Sequence, residues 1–258
     1  MTRHALPLML GLGLVSGALG GMMGVGGGIL LVPLLTHLLG EPQHDAQATS
    51  LAFIIVAALI GVVPYFAHGR LDLGLAAVLA AGAVVGVVAG ARVAHGTPAA
   101  WLRRAFGVAI VATAVRLLAA PPAHAAEAAL WPWFVNVGVG LGVGFLAGLL
   151  GIGGGTILVP LLVLAQGVPQ HVAQGVALLM IVPVGLVGAL TYARSGHVAG
   201  RDLPGLLVGG AAGAFFGAQL AQSLRGPTLS RLFAVFLIAV AARMIFGKPR
   251  ARTAPAES

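Results

Sequence analysis

Gly21-Met22-Met23-Gly24-Val25-Gly26-Gly27-Gly28-Ile29-Leu30-Leu31-Val32-Pro33-Leu34-Leu35 returns in the second half of the chain as Gly148-Leu149-Leu150-Gly151-Ile152-Gly153-Gly154-Gly155-Thr156-Ile157-Leu158-Val159-Pro160-Leu161-Leu162. Across residues 13–47, 20 of 35 positions match their counterparts at this one offset without a gap. The agreement is not confined to common apolar residues. Pro42-Gln43-His44 pairs with Pro169-Gln170-His171, Gln47 with Gln174, Tyr65 with Tyr192, Arg104 with Arg231 and Arg116 with Arg243. The chain therefore reads as one unit duplicated: a first repeat at 1–120, a connecting loop at 121–130, a second repeat at 131–247 and a basic tail at 248–258.

The surrounding composition says what solvent the repeats occupy. Of 258 residues, 59% are hydrophobic and 8% charged, and the mean hydropathy is +1.04. A soluble domain carries roughly 25% charged residues to cover its exterior. A chain solvated by lipid keeps its charge in the loops. Apolar stretches run over 5–39, 46–67, 71–94, 99–120, 131–166, 172–193, 203–224 and 227–246, and the breaks between them hold nearly all the charge. The expected class is an all-α integral membrane protein of two homologous four-segment repeats. The net charge of +8 comes from Lys and Arg at segment ends and in the tail (Lys248, Arg250, Arg252), a pattern of membrane orientation rather than of a nucleic-acid patch. The lipid bilayer is the expected surrounding, and no nucleic-acid partner is implied. The first stretch is not a cleaved signal peptide on this reading, because it recurs inside the chain.

The first segment of each repeat is about 35 residues long, whereas one crossing needs about 20, so something must interrupt it. The Gly triplets allow backbone angles closed to other residues, and Pro33 and Pro160 remove an amide donor. Both are expected at the break. A broken helix leaves amides that lipid cannot satisfy, tolerated only against protein or a polar cavity. Amides converging at a helix start suit an anion. Gly26, Gly27 and Gly28, with Gly153, Gly154 and Gly155, are thus expected to form two facing anion cradles. Gln43, His44 and Gln47, with Gln170, His171 and Gln174, stand at the entry to the next segment. They offer hydrogen-bond donors without a fixed positive charge and join the candidate substrate-binding set. Gly82, Gly86 and Gly90, and Gly209, Gly213 and Gly217, have the four-residue spacing of helix packing and read as scaffold. His37, His68, His95, His124 and His197, like Trp101, Trp131 and Trp133, lie near segment ends as interfacial residues.

What is missing narrows the chemistry. There is no Cys, which removes thiolate metal sites and cysteine nucleophiles. All six acids lie in breaks or the tail, which argues against a carboxylate proton relay. There is no Walker lysine motif, no G-x-S-x-G and no H-E-x-x-H. No enzyme, cofactor or metal is expected. The reading is a secondary transporter of a small anion, with a passive anion channel, an intramembrane enzyme or a subunit of a membrane complex as the alternatives.

Repeats in secondary transporters flank a substrate site near the bilayer midplane. If each first segment crosses once, the halves are parallel, and Lys and Arg divide nine against five. If each folds back as a re-entrant hairpin, three crossings remain per half, the halves are inverted and the division is ten against four. The positive-inside rule favours the hairpins, with both termini in the cytoplasm.

The duplicated Gly-x-x-Gly-x-Gly-Gly-Gly pattern followed by Val-Pro-Leu-Leu, at Gly21–Leu35 and Gly148–Leu162, resembles the sulfite exporter TauE/SafE family of membrane permeases. Length, segment number and duplication agree along almost the whole chain. The resemblance implies movement of sulfite, sulfonates or related sulfur-containing anions across the inner membrane.

Overall fold

The computed structural model describes residues 6–94, 110–111, 114–119, 131–151, 153–194 and 203–246. The expected connecting loop 121–130, the tail 248–258, and Trp101, His95, His124 and His197 lie outside the described residues, as do the side chains of His37 and Gln43. Among the described residues the helices are α1 (Leu6–Met23), α2 (Gly28–Leu38), α3 (Gln43–Ala67), α4 (Leu73–Ala94), α5 (Trp133–Leu150), α6 (Gly155–Ala165), α7 (Gln170–Arg194), α8 (Leu203–Ser223) and α9 (Gly226–Phe246). No strand occurs among them. Among the described residues six helices are long and apolar enough to cross a membrane: α1, α3, α4, α5, α7 and α8. Helices are the expected solution in lipid, because each backbone donor finds its acceptor within its own segment. At the start of α4 a side chain supplies the missing acceptor: Asp72 Oδ1 accepts the Leu75 amide at 2.9 Å.

Both long first segments are split, and the break sits at the glycines alone. Gly24, Gly26 and Gly27 have φ of 74°, 72° and 81°, and Gly151, Gly153 and Gly154 have φ of 70°, 81° and 81°. Only glycine adopts these angles without strain. Pro33 and Pro160 do not act as the breaks expected from the sequence: each lies inside its short helix, α2 or α6. The reason is that proline's fixed φ is itself helical. What it removes is one amide, not the helical path.

At the break the chain turns back. The Val25 and Gly26 amides donate to the Gly20 carbonyl at 2.9 and 3.3 Å, and a Cβ placed on Gly27 would collide with the Ser16 carbonyl. A helix that continued forward would carry Gly27 away from Ser16 by about 1.5 Å with every residue. α1 and α2 therefore form a hairpin, and α2, at 11 residues, is too short to cross.

Glycine rows then lock the hairpins to distant helices. A Cβ on Gly82, Gly86 or Gly90 of α4 would meet the carbonyls of Val137, Leu141 and Phe145 of α5 in turn. A Cβ on Gly209, Gly213 or Gly217 of α8 would meet those of Leu10, Leu14 and Ala18 of α1. The second set stands at the repeat offset from the first, member by member. Because both indices rise together, each pair is parallel. Each half thus lends its first helix to the third segment of the other. Lipid supplies no hydrophobic drive for such contact, so the stability comes from close backbone approach, and a side chain inserted there costs about 1–3 kcal/mol or more.

α3 and α7 pass through the middle in opposite directions. Tyr65, near the end of α3, reaches Gln174, near the start of α7, at 3.2 Å. Tyr192, near the end of α7, reaches Gln47, near the start of α3, at 3.3 Å.

Candidate functional site

The two glycine turns meet where α3 and α7 cross. A Cβ on Gly26 would stand 3.4 Å from both Ile54 of α3 and Ile181 of α7, and one on Gly153 would stand 3.0 and 3.7 Å from the same two residues. The turns also touch each other: a Cβ on Gly155 would lie 2.5 Å from the Gly24 carbonyl and 2.8 Å from Val25 Cα. The two glycine turns are thus in contact here, through Gly24 and Val25 of one and Gly155 of the other.

Helix starts supply the donors. The first backbone bonds of α2 run from Leu30 and Leu31 to the Gly27 carbonyl, and those of α6 from Ile157 and Leu158 to the Gly154 carbonyl, all at 3.1 Å. The amides of Gly28 and Ile29, and of Gly155 and Thr156, precede these bonds and have no intrahelical acceptor. The N-caps Gly27 and Gly154 have no side chain to accept from them. The partial positive charge of each helix start is therefore directed at the centre of the protein.

Around the turns stands a set of polar side chains that repeats at the same offset. The Tyr65 hydroxyl donates to the Gly21 carbonyl at 3.0 Å, with Gln174 Oε1 as a second acceptor. The Tyr192 hydroxyl stands the same way towards the Gly148 carbonyl, at 3.2 Å, and towards Gln47 Oε1. Gln47 Nε2 donates to the Leu150 carbonyl at 3.3 Å. These tyrosines, fully buried, tie each hairpin end to the opposite half and were not among the residues assigned to the site from the sequence. The signal was available: the chain has two tyrosines, and they are separated by the repeat offset.

Two hydroxyls beside the glycine turns break the symmetry. Ser50, where the second half has Ala177, donates to the Gly28 carbonyl at 3.2 Å and lies 3.5 Å from the Gly151 carbonyl, bridging the two turns. Thr156, where the first half has Ile29, is 1% exposed, and its Oγ1 has no partner among the described residues. Gln174, 0% exposed, likewise keeps Nε2 without a partner. Its Cα would meet a Cβ on Gly24 at 2.7 Å, which sets Gln174 beside the first turn, while Thr156 stands in the first turn of α6 after the second. A buried amide or hydroxyl without a partner costs about 1–3 kcal/mol. A ligand offering acceptor oxygens would remove that cost.

The remaining candidates divide. Gln43 opens α3. His44 is half-buried, with Nδ1 at 3.2 Å from Gln47 Oε1, so it stands one residue removed from the tyrosine network. Gln170 Oε1 accepts from Ser230 at 3.2 Å. His171 Nε2 lies 3.0 and 3.2 Å from the Ala221 and Leu224 carbonyls at the end of α8. Two carbonyl acceptors require the proton on Nε2, so His171 caps a helix end rather than facing the glycine turns. His171→Ala should therefore lower stability by about 1–3 kcal/mol. His44→Ala, beside Gln47, should flatten the dependence of flux on pH between about 5 and 8, whereas His171→Ala should leave its shape unchanged. Thermal unfolding checks the first; flux across a pH series checks the second, and an unaltered profile in His44→Ala would remove His44 from the transport step.

No group of three or more His, Cys, Asp or Glu able to hold a metal occurs among the described residues.

Comparison with known proteins fits this architecture. Residues 9–244 match the family model described as Sulfite exporter TauE/SafE. A "Probable membrane transporter protein" of Xylella fastidiosa is 30% identical over 253 residues, covering 95% of this chain and 97% of the relative. The "Probable membrane transporter protein YunE" of Bacillus subtilis is 26% identical over 260 residues, covering 91% and 95%. No solved structure matches. With the family model spanning nearly the whole chain, this protein belongs to the sulfite exporter TauE/SafE family of membrane transporters.

Proposed function

We propose that the chain is a secondary transporter of a small sulfur-containing oxyanion, sulfite or a sulfonate, in the inner membrane, and that the paired glycine turns bind it. The observation carrying this reading is the convergence of two helix starts on the α3–α7 crossing beside two buried polar groups, Gln174 Nε2 and Thr156 Oγ1, that lack partners among the described residues. Sulfite and sulfonate oxygens are acceptors, and backbone amides, a carboxamide nitrogen and a hydroxyl are neutral donors. Neutral donors at a helix start hold an anion without a fixed counter-charge, so release does not require breaking an ion pair.

On this reading the two halves are inverted repeats. The antiparallel α3 and α7, and the contacts that recur at the offset of the duplication, support that relation. The site then sits on the pseudo-two-fold axis near the midplane, where inverted-repeat transporters bind substrate. In the conformation described here the turns touch; binding separates them, and rocking of one half against the other exposes the ligand to each face in turn. Gln47, Tyr65 and Tyr192 position the turns, and the glycine amides, Gln174 Nε2 and Thr156 Oγ1 contact the anion. Both termini lie in the cytoplasm.

Radiolabelled sulfite, thiosulfate and sulfonates offered to proteoliposomes test the reading. Saturable flux of at least one of them, with stimulation by the same unlabelled anion on the opposite side, is the expected result. Flux that rises linearly with concentration and shows no such stimulation would favour a channel, and no flux of any of these anions would overturn the substrate class.

A further inference from the structure

A cavity of about 400 Å³ opens between the ends of α4 and α7, lined by Val88, Arg92, Val187, Leu190, Thr191 and Arg194. It lies apart from the glycine turns and has a different character. Two guanidinium groups contributed by different halves share it, and no carboxylate is among the described residues that line it. Both arginines are exposed, one in the last turn of each helix. The Thr191 hydroxyl donates to the Val187 carbonyl at 2.7 Å, the other three lining residues are aliphatic, and Leu190 is 50% exposed, as are Leu186 at 51% and Val93 at 45%. The pseudo-symmetric position has no such character: Phe215, Gln219, Ile60, Val63, Pro64 and Ala67 stand where these six would map.

We infer that this cavity binds one anionic phospholipid, its phosphate held by Arg92 and Arg194 and its first acyl carbons lying on Val88, Val187 and Leu190. Three observations lead to a lipid rather than to a soluble anion. The charge is paired with an aliphatic wall, that wall includes the exposed Leu190, and the arginines stand at helix ends, the level of the headgroups. Guanidinium groups match phosphate oxygens in a bidentate geometry, and basic pockets between membrane helices on the cytoplasmic side favour anionic headgroups. The lipid would bridge α4 of one half and α7 of the other, so its occupancy bears on how the halves move. This site is independent of the transported substrate, and its test does not use transport.

The experiment titrates the purified full chain in detergent with phosphatidylglycerol, phosphatidylcholine or inorganic phosphate, reading bound lipid by native mass spectrometry and the unfolding temperature. Phosphatidylglycerol should bind at one site and raise the unfolding temperature by about 3 °C, while phosphatidylcholine and millimolar phosphate should do neither. Arg92→Gln with Arg194→Gln should weaken phosphatidylglycerol binding about 30-fold, each charge near an anionic lipid contributing about fivefold. Arg92→Lys with Arg194→Lys keeps the charge but not the bidentate fork and should bind better than the double Gln variant and less well than the native chain, which separates loss of the site from loss of the fold. Equal binding of phosphatidylcholine, displacement of the lipid by phosphate alone, or undiminished binding by the double Gln variant would overturn the inference.

Discussion

Gly27→Leu or Gly154→Leu should abolish transport, and the geometry specifies how. Both positions have φ of 81°, which costs a side-chain-bearing residue about 1–2 kcal/mol. At Gly27 a Cβ would also collide with the Ser16 carbonyl, and at Gly154 it would stand 2.9 Å from Val143 Cγ1. Leu at either position therefore opens the hairpin as well as filling the cradle, and the unfolding temperature should fall together with the flux. Gly26→Ala separates the two effects. Its φ is 72°, but a methyl there would make ordinary contacts of 3.4 Å with Ile54 and Ile181. The variant should insert and fold, and still lose at least about tenfold in flux, the equivalent of one weakened hydrogen bond to a charged ligand. Measured in proteoliposomes with quantified, correctly inserted protein, wild-type flux from Gly26→Ala would remove the turns from the binding step.

Much of this architecture was legible in the sequence, for reasons that can be named. The clustered glycines declared the break because no other residue type tolerates three positive-φ positions within one short turn, which here are Gly24, Gly26 and Gly27 and their counterparts Gly151, Gly153 and Gly154. The rows at Gly82, Gly86 and Gly90 declared close packing because their spacing places them on one helix face. Their partners were not legible: nothing in a local pattern says that α4 takes α5 while α8 takes α1. Pro33 and Pro160 were misread because a missing amide marks a helix interruption only where the φ angles also change, and here they do not. The tyrosines were visible as a pair at the repeat offset but carried no meaning until α3 and α7 were seen to run antiparallel. That single fact turns two separate Tyr and Gln pairs into one reciprocal network. Arg92 and Arg194 stand in different repeats without counterparts, so no motif could join them.

The central claim is that two inverted halves bring their glycine turns face to face, and cysteine accessibility tests it most directly, because the native chain has no Cys. Arg70 follows α3, and its carbonyl lies 2.6 Å from a Cβ placed on Gly175 near the start of α7. It therefore belongs to the face opposite the start of α3. Arg103 lies outside the described residues but follows α4 in sequence, on the face to which α4 returns. With hairpins at both glycine turns and a cytoplasmic N-terminus, Arg70→Cys faces the periplasm and Arg103→Cys the cytoplasm. With eight simple crossings the two exchange places. The expected result in intact cells is labelling of Arg70→Cys by a membrane-impermeant maleimide and protection of Arg103→Cys until the membrane is opened. Labelling of Arg103→Cys from outside, with Arg70→Cys protected, would contradict the inverted halves and with them the facing turns.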